Sequence, residues 1–541
     1  MERFAAQGRL MAALLSGVLL ALSFPPFEIA GLAWLALVPL LLVIFRQPEG
    51  GGLGFGQAFR LGFFGGLVFW LLSMSWMLRL IETSPAPVIL ILLGWLVLCV
   101  CCALYWGAFM VAAAWLCRAI GTVRLWQSVL LTILLPIVWV GWEMARSCWI
   151  TGFPWNLLGI SQYRNLVLIQ CAQWVGVPGV SALVMLANSG LAFTILRYLP
   201  PREKTYRPHL ELFVALLTIA VCFRAGIGLV RQHEPAGGGV EIMAIQPAIP
   251  QVKKWSQEEI DLVHSTFRNL QGRALQAGPT LPDLVIWPET ATPYCVTEEG
   301  ESRDLVLELS RKGAPMLVGS MDMMTLGGET LCFNGSFLFN TNAVLVKSYY
   351  KQHLVPFGEY VPLSGWIPWL ATLAPMGWNC SAGAQATVFT LGHPAWSFSC
   401  LICFEDIMAD LSRDFVKAGA RMLINQTNDA WFDRSAGPGQ HLSHCVFRCV
   451  ENRVPAIRVG NSGISCMILP TGSIVEPTEN APGHPPVAST PRWQVAIPDS
   501  DFQPTFYTRH GDWVFGIPCG IIAVGCLVLA LIEARRKPNP A

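Results

Sequence analysis

Three polar residues of this sequence stand where short apolar runs end. Glu289, Lys351 and Cys403 each lie at or just beyond a run that reads as a β-strand. The ends of strands are where layered α/β folds present reactive groups. Taken singly, each residue has an ordinary structural explanation, as a solvated acid, a surface cation or a core thiol. No one of the three is by itself evidence of catalysis, so their meaning depends on the sequence around them.

The elements that must position these residues lie between residues 240 and 511, where charged and apolar residues are mixed as in ordinary soluble proteins. Short runs rich in β-branched residues alternate there with helical patterns, which is typical of a layered α/β domain. We predict strands at 240–245, 284–287, 315–319, 336–340, 343–346, 397–403 and 422–426. We predict helices at 257–277, 302–312, 407–418 and 439–452.

The rest of the chain has the composition of a membrane protein. Of the 541 residues, 53% are hydrophobic and only 13% are charged, about half the charge usual in soluble domains. Apolar segments of about 20 residues can cross a bilayer. We predict eight, near 8–24, 29–46, 61–82, 87–116, 125–145, 177–197, 210–230 and 512–534. The first has no small-residue cleavage site after it, so we interpret it as a retained helix.

Basic residues predict the orientation of these helices, because they concentrate in cytoplasmic loops. One side would carry most of them, ending in Arg535-Arg536-Lys537, whereas the other carries only Arg79, Arg146 and Arg164. Both termini are therefore expected in the cytoplasm. The expected domains are a seven-helix membrane domain at 1–232, an extracytoplasmic catalytic domain at 233–511, and an eighth helix with a cytoplasmic tail at 512–541.

Several other classes of function fit the sequence less well. No basic patch with interleaved aromatic residues predicts nucleic-acid binding. The 17 cysteines lack the spacing of a disulfide framework or a zinc site. Cys400 and Cys403 form a C-x-x-C, yet residues i and i+3 of a strand face opposite sides, which disfavours a redox or metal pair. His353, His441 and His444 could instead form a Cys-His system. A transporter is disfavoured by the near absence of charge within the helices.

The order of the three residues resembles the Glu-Lys-Cys triad of the nitrilase superfamily. The matching segments are 287–290 (WPET), 351–362 (KQHLVPFGEYVP) and 403–405 (CFE). With membrane helices around it, the pattern resembles the apolipoprotein N-acyltransferase family. Residues 152–155 (GFPW), Gly159, Gln162, Gln246, 249–251 (IPQ), Trp255 and 428–432 (NDAWF) resemble it too. The chain departs from the family at Ala248, Phe404 and 444–450, where Asn, Tyr and a different segment are usual.

The resemblance implies roles for the site residues. Cys403 is the expected nucleophile, Glu289 the general base, and Lys351 the cation near the oxyanion, aided by the backbone N–H of Phe404. Glu359 would orient either Lys351 or an acceptor amine, and the sequence leaves both open. Glu405 is expected to support the centre. Trp255 and Trp431 are expected to bind substrate, and loops 360–380 could form an apolar lid.

The resemblance also implies the reaction. An acyl chain would pass from a membrane phospholipid to Cys403 as a thioester, and then to the N-terminal amine of a diacylglyceryl-cysteine lipoprotein. A membrane-tethered amidase or hydrolase with water as acceptor is the alternative. The protein would work as a monomer in the bacterial inner membrane, with a αββα nitrilase-type domain inserted between helices seven and eight. No cofactor or metal is expected.

Overall fold

The computed structural model describes residues 2–45, 53–149, 152–199, 208–232, 239–254, 259–362, 364, 379–392, 394–432, 434–478, 487–499 and 501–536. Two compact units divide the chain. One contains residues 1–75, 92–232 and 510–541, and the other contains residues 76–91 and 233–509.

The first unit consists of apolar helices. Within the described ranges, six helical segments are long and apolar enough to cross a membrane, and two shorter ones, Ala6–Ala21 and Ala30–Phe45, are also apolar. The predicted count of eight spanning helices therefore stays a prediction. The helices of eight or more residues in this part of the chain are Glu2–Ala21, Val38–Phe45, Phe55–Ser73, Val88–Ile120, Leu125–Cys148, Ala172–Leu196, Leu210–Gln232 and Gly516–Arg536.

Small residues allow these helices to approach each other closely. A Cβ atom added at Gly17 would lie 2.3 Å from the carbonyl oxygen of Gly65, on the helix packed against it. A Cβ added at Gly141 would lie 2.3 Å from the carbonyl oxygen of Cys519. Apolar lipid tails compete with apolar side chains, so close backbone packing is a main source of helix association in membranes. The glycines therefore fix which helices pair.

Two predicted spans differ from the structure. The run at 29–46 is broken into a 3₁₀ turn at Ala30–Trp34 and a helix at Val38–Phe45. Pro39 has no N–H to continue a helix from the preceding turn, but it suits a first turn. The side chain of Asn188 spans the break by accepting from the N–H of Leu37 at 2.9 Å and donating to the carbonyl of Ala33 at 2.8 Å. At 61–82 the structure has a helix that can span a membrane, but the predicted bounds are wrong, because the helix runs over Phe55–Ser73.

The second unit contains two six-stranded mixed sheets. Its strands are β1 Val240–Ala244, β2 Leu284–Ile286, β3 Met316–Leu326, β4 Glu329–Phe339, β5 Leu345–Tyr350, β6 Phe389–Leu391, β7 Trp396–Ile402, β8 Leu423–Thr427, β9 Ala456–Gly460, β10 Cys466–Ile468, β11 Ile474–Val475 and β12 Arg492–Val495. The strand orders are β12-β1-β2-β3-β4-β5 and β11-β10-β9-β8-β7-β6. All seven predicted strands are present, and β6 and β9 to β12 are additional.

Helices pack on the sheets in the αββα manner of a nitrilase-type domain. Ile260–Ala277 and Glu301–Ser310 bury Val263, Phe267 and Leu305 in one core with residues of β1 to β4. Ala409–Lys417 and Gly437–Asn452 are the corresponding helices of the second half. Between the sheets, Nε2 of Gln426 on β8 donates to the carbonyl of Trp287 at 2.6 Å. The layered α/β fold predicted from the sequence is therefore confirmed.

Candidate active site

The three residues singled out in the sequence meet at the ends of three strands. Glu289 lies three residues beyond β2, Lys351 follows β5 and Cys403 follows β7. Oε1 of Glu289 is 3.5 Å from Nζ of Lys351, and these residues are 7% and 1% exposed. Both charges act on the thiol of Cys403. The fold thus brings a carboxylate, a buried lysine and a thiol to one place.

Lys351 lies between two carboxylates. Its Nζ donates to Oε1 of Glu359 at 2.9 Å, and the other oxygen of Glu359 accepts from the N–H of Val355 at 2.8 Å. Burial alone would lower the pKa of Lys351, but Glu359 and Glu289 raise it above its usual value. The side chain therefore remains an ammonium ion at neutral pH.

Asn334, on β4, connects the two acids. Its Nδ2 donates to Oε1 of Glu289 and to Oε1 of Glu359, each at 2.9 Å. Nothing in the sequence singles out Asn334, because it lies inside a strand rather than at a strand end. The signal available in the sequence is weak: a single amide in a run that is otherwise apolar or small.

Cys403 has a backbone conformation that L-residues seldom adopt, with φ at +52°. Such a conformation costs on the order of 1–3 kcal/mol and persists where surrounding contacts impose it. Burial, and then the charge of Glu289, raise the pKa of the Cys403 thiol, while Lys351 opposes them. The resting group is therefore a thiol, and it needs a base before it can attack.

Glu405 connects the end of β5, just before Lys351, to the end of β7, just before Cys403. Its carboxylate accepts from the N–H groups of Gln352 at 2.7 Å, His353 at 3.1 Å and Ile402 at 2.8 Å, and from the hydroxyl of Tyr349 at 2.8 Å. Burial raises the pKa of Glu405 to about 7, although the three N–H groups and Lys351 lower it. The supporting role expected of Glu405 stays a prediction.

Lys254 is a second buried lysine that the sequence analysis did not select. Its Nζ donates to the carbonyl of Glu289 and to Oγ1 of Thr290, both at 3.0 Å. Burial lowers the pKa of Lys254 to about 7, against the opposing effect of Glu289 and Cys403. The resemblance covers 249–251 and Trp255 but not the lysine before Trp255, and a single lysine gives no separate signal in the sequence.

Other expected site residues are less well defined by the structure. Trp431 ends the 3₁₀ turn Asp429–Trp431 and is half-buried, with its carbonyl accepting from Oγ1 of Thr83 at 2.9 Å. Its contact with substrate stays a prediction, as does the oxyanion role of the N–H of Phe404. Trp255 and most of the lid at 360–380 lie outside the described residues.

The competing interpretations find no geometric support in the described part of the chain. Cys400 is fully buried, and its Sγ donates to Oε1 of Gln426 at 3.2 Å. Both it and Cys403 are free thiols. The ring nitrogens of His441 lie near carboxylates and the carbonyl of Cys403. Within the described ranges, no group of three or more His, Cys, Asp or Glu side chains is arranged to hold a metal ion.

Sequence comparisons identify the family. Residues 16–190 match the family model of the apolipoprotein N-acyltransferase N-terminal domain, and residues 242–485 match that of the carbon-nitrogen hydrolases. The chain is 36% identical over 533 residues to an apolipoprotein N-acyltransferase of Geobacter metallireducens, covering 97% of this chain and 95% of that one. This chain belongs to the apolipoprotein N-acyltransferase family.

A second apolipoprotein N-acyltransferase, from Chlorobaculum tepidum, is 30% identical over 97% of this chain and 96% of its own length. Among solved structures, Saccharomyces cerevisiae Nit3, a member of branch 10 of the nitrilase superfamily, matches 48% of this chain and 93% of its own. Its identity is 17% and its TM-score 0.36. The chain thus combines the carbon-nitrogen hydrolase domain of an acyltransferase family with the apolar helices of a multi-pass bacterial membrane protein.

Proposed function

We propose that this apolipoprotein N-acyltransferase family member transfers an acyl chain from a membrane phospholipid, through a thioester on Cys403, to the N-terminal amine of a diacylglyceryl-cysteine lipoprotein. One observation carries the assignment of the centre. Nζ of the buried Lys351 lies 3.5 Å from Glu289 and 2.9 Å from Glu359. Its charge opposes the increase in the pKa of the Cys403 thiol. This arrangement would provide a buried base and a buried cation next to a partly buried nucleophile.

The first half-reaction uses each group once. Glu289 takes the proton of the thiol while Sγ of Cys403 attacks the ester carbonyl of the phospholipid. The carbonyl oxygen becomes an oxyanion that Lys351 and the backbone N–H of Phe404 stabilise. When the C–O bond breaks, Glu289 returns its proton to the departing lysophospholipid oxygen. Cys403 is left as a thioester.

The second half-reaction releases the thiol. The amine of the lipoprotein attacks the thioester, the C–S bond breaks, and one amine proton passes through Glu289 to the departing sulfur. An α-amino group with a pKa of about 7.7–8.0 is roughly a tenth neutral at pH 7, which is enough for this attack. Both oxygens of Glu359 are engaged by Lys351, Asn334 and Val355. We therefore assign Glu359 to orienting Lys351 rather than an amine.

The lipid substrates explain why the catalytic domain is joined to apolar helices. We place the membrane domain at 1–232, the catalytic domain at 233–511 on the periplasmic side, and an eighth helix at 512–541, with both termini in the cytoplasm. A reporter fused after Arg536 should then read as cytoplasmic, and one inserted in the loop at 478–490 as external. The same compartment for both reporters would make the eight-helix topology wrong.

The test of the reaction separates its two halves. Detergent-solubilised protein given phospholipid alone should accumulate an acyl adduct on Cys403, seen by mass spectrometry and removed by neutral hydroxylamine. A diacylated lipopeptide with a free N-terminus should then discharge the adduct, and the same lipopeptide N-acetylated should not. Loss of the acyl group as free fatty acid, at a rate that the lipopeptide does not change, would identify a hydrolase instead.

A further inference from the structure

Four buried charged residues lie next to Cys403 and have no part in the proton transfers above. Asp406, Asp429, His441 and Arg458, the buried quartet, are each at most 5% exposed. They come from four different elements: the 3₁₀ turn Cys403–Ile407, the turn Asp429–Trp431, the helix Gly437–Asn452 and β9. Burying so many charges is unfavourable unless they compensate one another.

The quartet forms a closed ring in which each basic group contacts both acids. Arg458 reaches Asp406 through Nη1 at 2.9 Å and Asp429 through Nη2 at 2.8 Å. His441 reaches Asp406 through Nε2 at 2.7 Å and Asp429 through Nδ1 at 3.1 Å. Nη2 of Arg458 is also 2.8 Å from Nδ1 of His441.

The quartet is electrically neutral at pH 7. Burial and Arg458 lower the pKa of His441, but Asp406 and Asp429 outweigh them and raise it to about 9. Burial raises the pKa of Asp429, but Arg458 and His441 lower it well below its usual range. The imidazolium and the guanidinium therefore balance the two carboxylates, and removing one member leaves a charge without compensation.

The quartet contacts the backbone of the candidate site at the carbonyl oxygen of Cys403. That oxygen accepts from Nε2 of His441 at 3.2 Å and from Nδ2 of Asn425 at 3.1 Å. Asn425 is fixed in turn, because its Oδ1 accepts from Nη1 of Arg458 at 2.7 Å. Both donors to this carbonyl thus depend on the quartet for their positions.

The orientation of that carbonyl also determines the direction of the next N–H. A peptide group is planar and trans, so its C=O and N–H point in opposite directions. Fixing the carbonyl of Cys403 toward His441 and Asn425 therefore directs the N–H of Phe404 away from the quartet. This is the N–H that the proposed function assigns to the oxyanion.

We propose that the buried quartet is a positioning device that aims the backbone N–H of Phe404 at the oxyanion, by holding the carbonyl of Cys403 through His441 and Asn425. The proposal rests on the proposed acyl transfer at Cys403. His441 and Asn425 act here as positioning residues, since neither needs to touch the substrate.

Two substitutions of His441 separate the relevant contact from the rest of the ring. The amide nitrogen of Gln can take the place of Nε2, whereas that of Asn takes the place of Nδ1. H441N should therefore lose the donor to Cys403, and H441Q should keep it. Two rates are measured for each: thioester formation from phospholipid, which passes through an oxyanion, and alkylation of Cys403 by iodoacetamide, which does not.

H441N should slow thioester formation by about 10²–10³-fold, the usual effect of one oxyanion donor, with the KM for phospholipid unchanged. Its alkylation rate, followed by mass spectrometry of the Cys403 peptide, should stay within about threefold of that of H441Q, which loses the same charge. H441Q should recover thioester formation to within about tenfold. H264N is the matched control, because His264 is a buried histidine of the same domain, bonded to Ser302 at 2.9 Å; neither rate should change.

The proposal is overturned if H441N keeps the wild-type rate of thioester formation, or if acylation and alkylation fall together by the same factor. The second result would mean that the whole site is lost. If thermal unfolding shows that H441N does not fold, the same two rates are measured for N425D. This variant keeps an acceptor for Arg458 and removes the donor to Cys403. Failure of the proposed function itself looks different: the wild type would be alkylated at Cys403 yet form no acyl adduct.

Discussion

The part of the site built on the first sheet differs from the part built on the second in how its polar groups are held. Beyond β2 and β5, charged side chains face one another, and Glu289, Lys351 and Glu359 together carry one net negative charge when both acids are ionised. Beyond β7, the carbonyl of Cys403 is held by His441 of the buried quartet, whose two positive and two negative charges cancel. The first part is arranged to move protons, and the second to fix a backbone.

The difference predicts two kinds of failure. The excess negative charge near Cys403 opposes a resting thiolate, so substitutions in the first part should change proton transfer and the charge felt by the oxyanion. The quartet holds the carbonyl of Cys403, so exchanges there that leave the same charge, such as H441N and H441Q, should differ through geometry. The following variants test this division, beginning with the largest expected effect.

Removing the nucleophile should abolish acyl transfer. Cys403→Ala should lower the rate by at least about 10⁴-fold, because no thioester can form. Cys400→Ala is the control, since its thiol is fully buried and donates to Gln426, and it should retain most activity. The measurement is transfer of a labelled acyl chain from phospholipid to lipopeptide. Equal loss in both variants, with a disulfide in the native protein, would restore the C-x-x-C interpretation.

Removing the base should be nearly as severe. Glu289→Gln keeps the shape of the side chain but cannot accept the thiol proton, so thioester formation should fall by about 10²–10⁴-fold. Glu299→Gln, an exposed acid ten residues along the chain, should have no effect. Single-turnover mass spectrometry of the Cys403 peptide gives the rate. A Glu289→Gln variant with the wild-type rate would remove Glu289 from the mechanism.

Lys351→Met should slow both half-reactions by about 10²–10³-fold, because each passes through an oxyanion that loses a nearby cation. Lys347→Met is matched to it, since Lys347 lies on β5 but is exposed. Adduct formation and adduct discharge are timed separately. Loss of only one half-reaction would show that the lysine does not serve the oxyanion.

The smallest effect concerns stability. The pKa of His441 is raised to about 9 in the folded protein, above about 6.5 in an unfolded chain. The stability that its proton contributes is therefore complete below pH 6.5 and is lost as the pH rises through 9. The groups of other elements that face it are Asp406, Asp429 and Arg458, with Cys445 on its own helix.

The stability advantage of wild type over H441Q should thus narrow between pH 6.5 and 10, measured by thermal unfolding in detergent. Lys254 and Glu405, whose pKa values are both near 7, titrate in the two proteins alike, so their contributions cancel in the comparison. A difference that stays constant over this range would mean that His441 is neutral in the fold.

The sequence predicted those parts of the molecule that depend on local pattern. Glu289, Lys351 and Cys403 were found because each stands at the end of an apolar run, where strands present reactive groups. Asn334 and Asn425 were missed because they lie inside strands, and their partners depend on strand pairing that no local pattern encodes. His441 was noticed only as a rival base, since its link to the carbonyl of Cys403 crosses 38 residues of sequence.

Contacts between residues far apart in the sequence also explain where the predicted fold was wrong or incomplete. The strands β9 to β12 are short, and their place at the edges of two sheets follows from long-range pairing. The break at 35–37 in the predicted span 29–46 depends on Asn188, some 150 residues away, to satisfy the backbone groups that the helix leaves open. Hydrophobicity alone could not distinguish this segment from a continuous helix.

The close approach of Gly141 to the carbonyl of Cys519 sets an order of events during biosynthesis. The helix Leu125–Cys148 leaves the ribosome roughly 370 residues before Gly516–Arg536 begins. At about 5–20 residues per second, that interval lasts roughly 20–70 s. Throughout it, the groove at Gly141 lacks the helix that fills it. The helix packing of the membrane unit is therefore completed last, after the ribosome has finished the polypeptide of the catalytic domain.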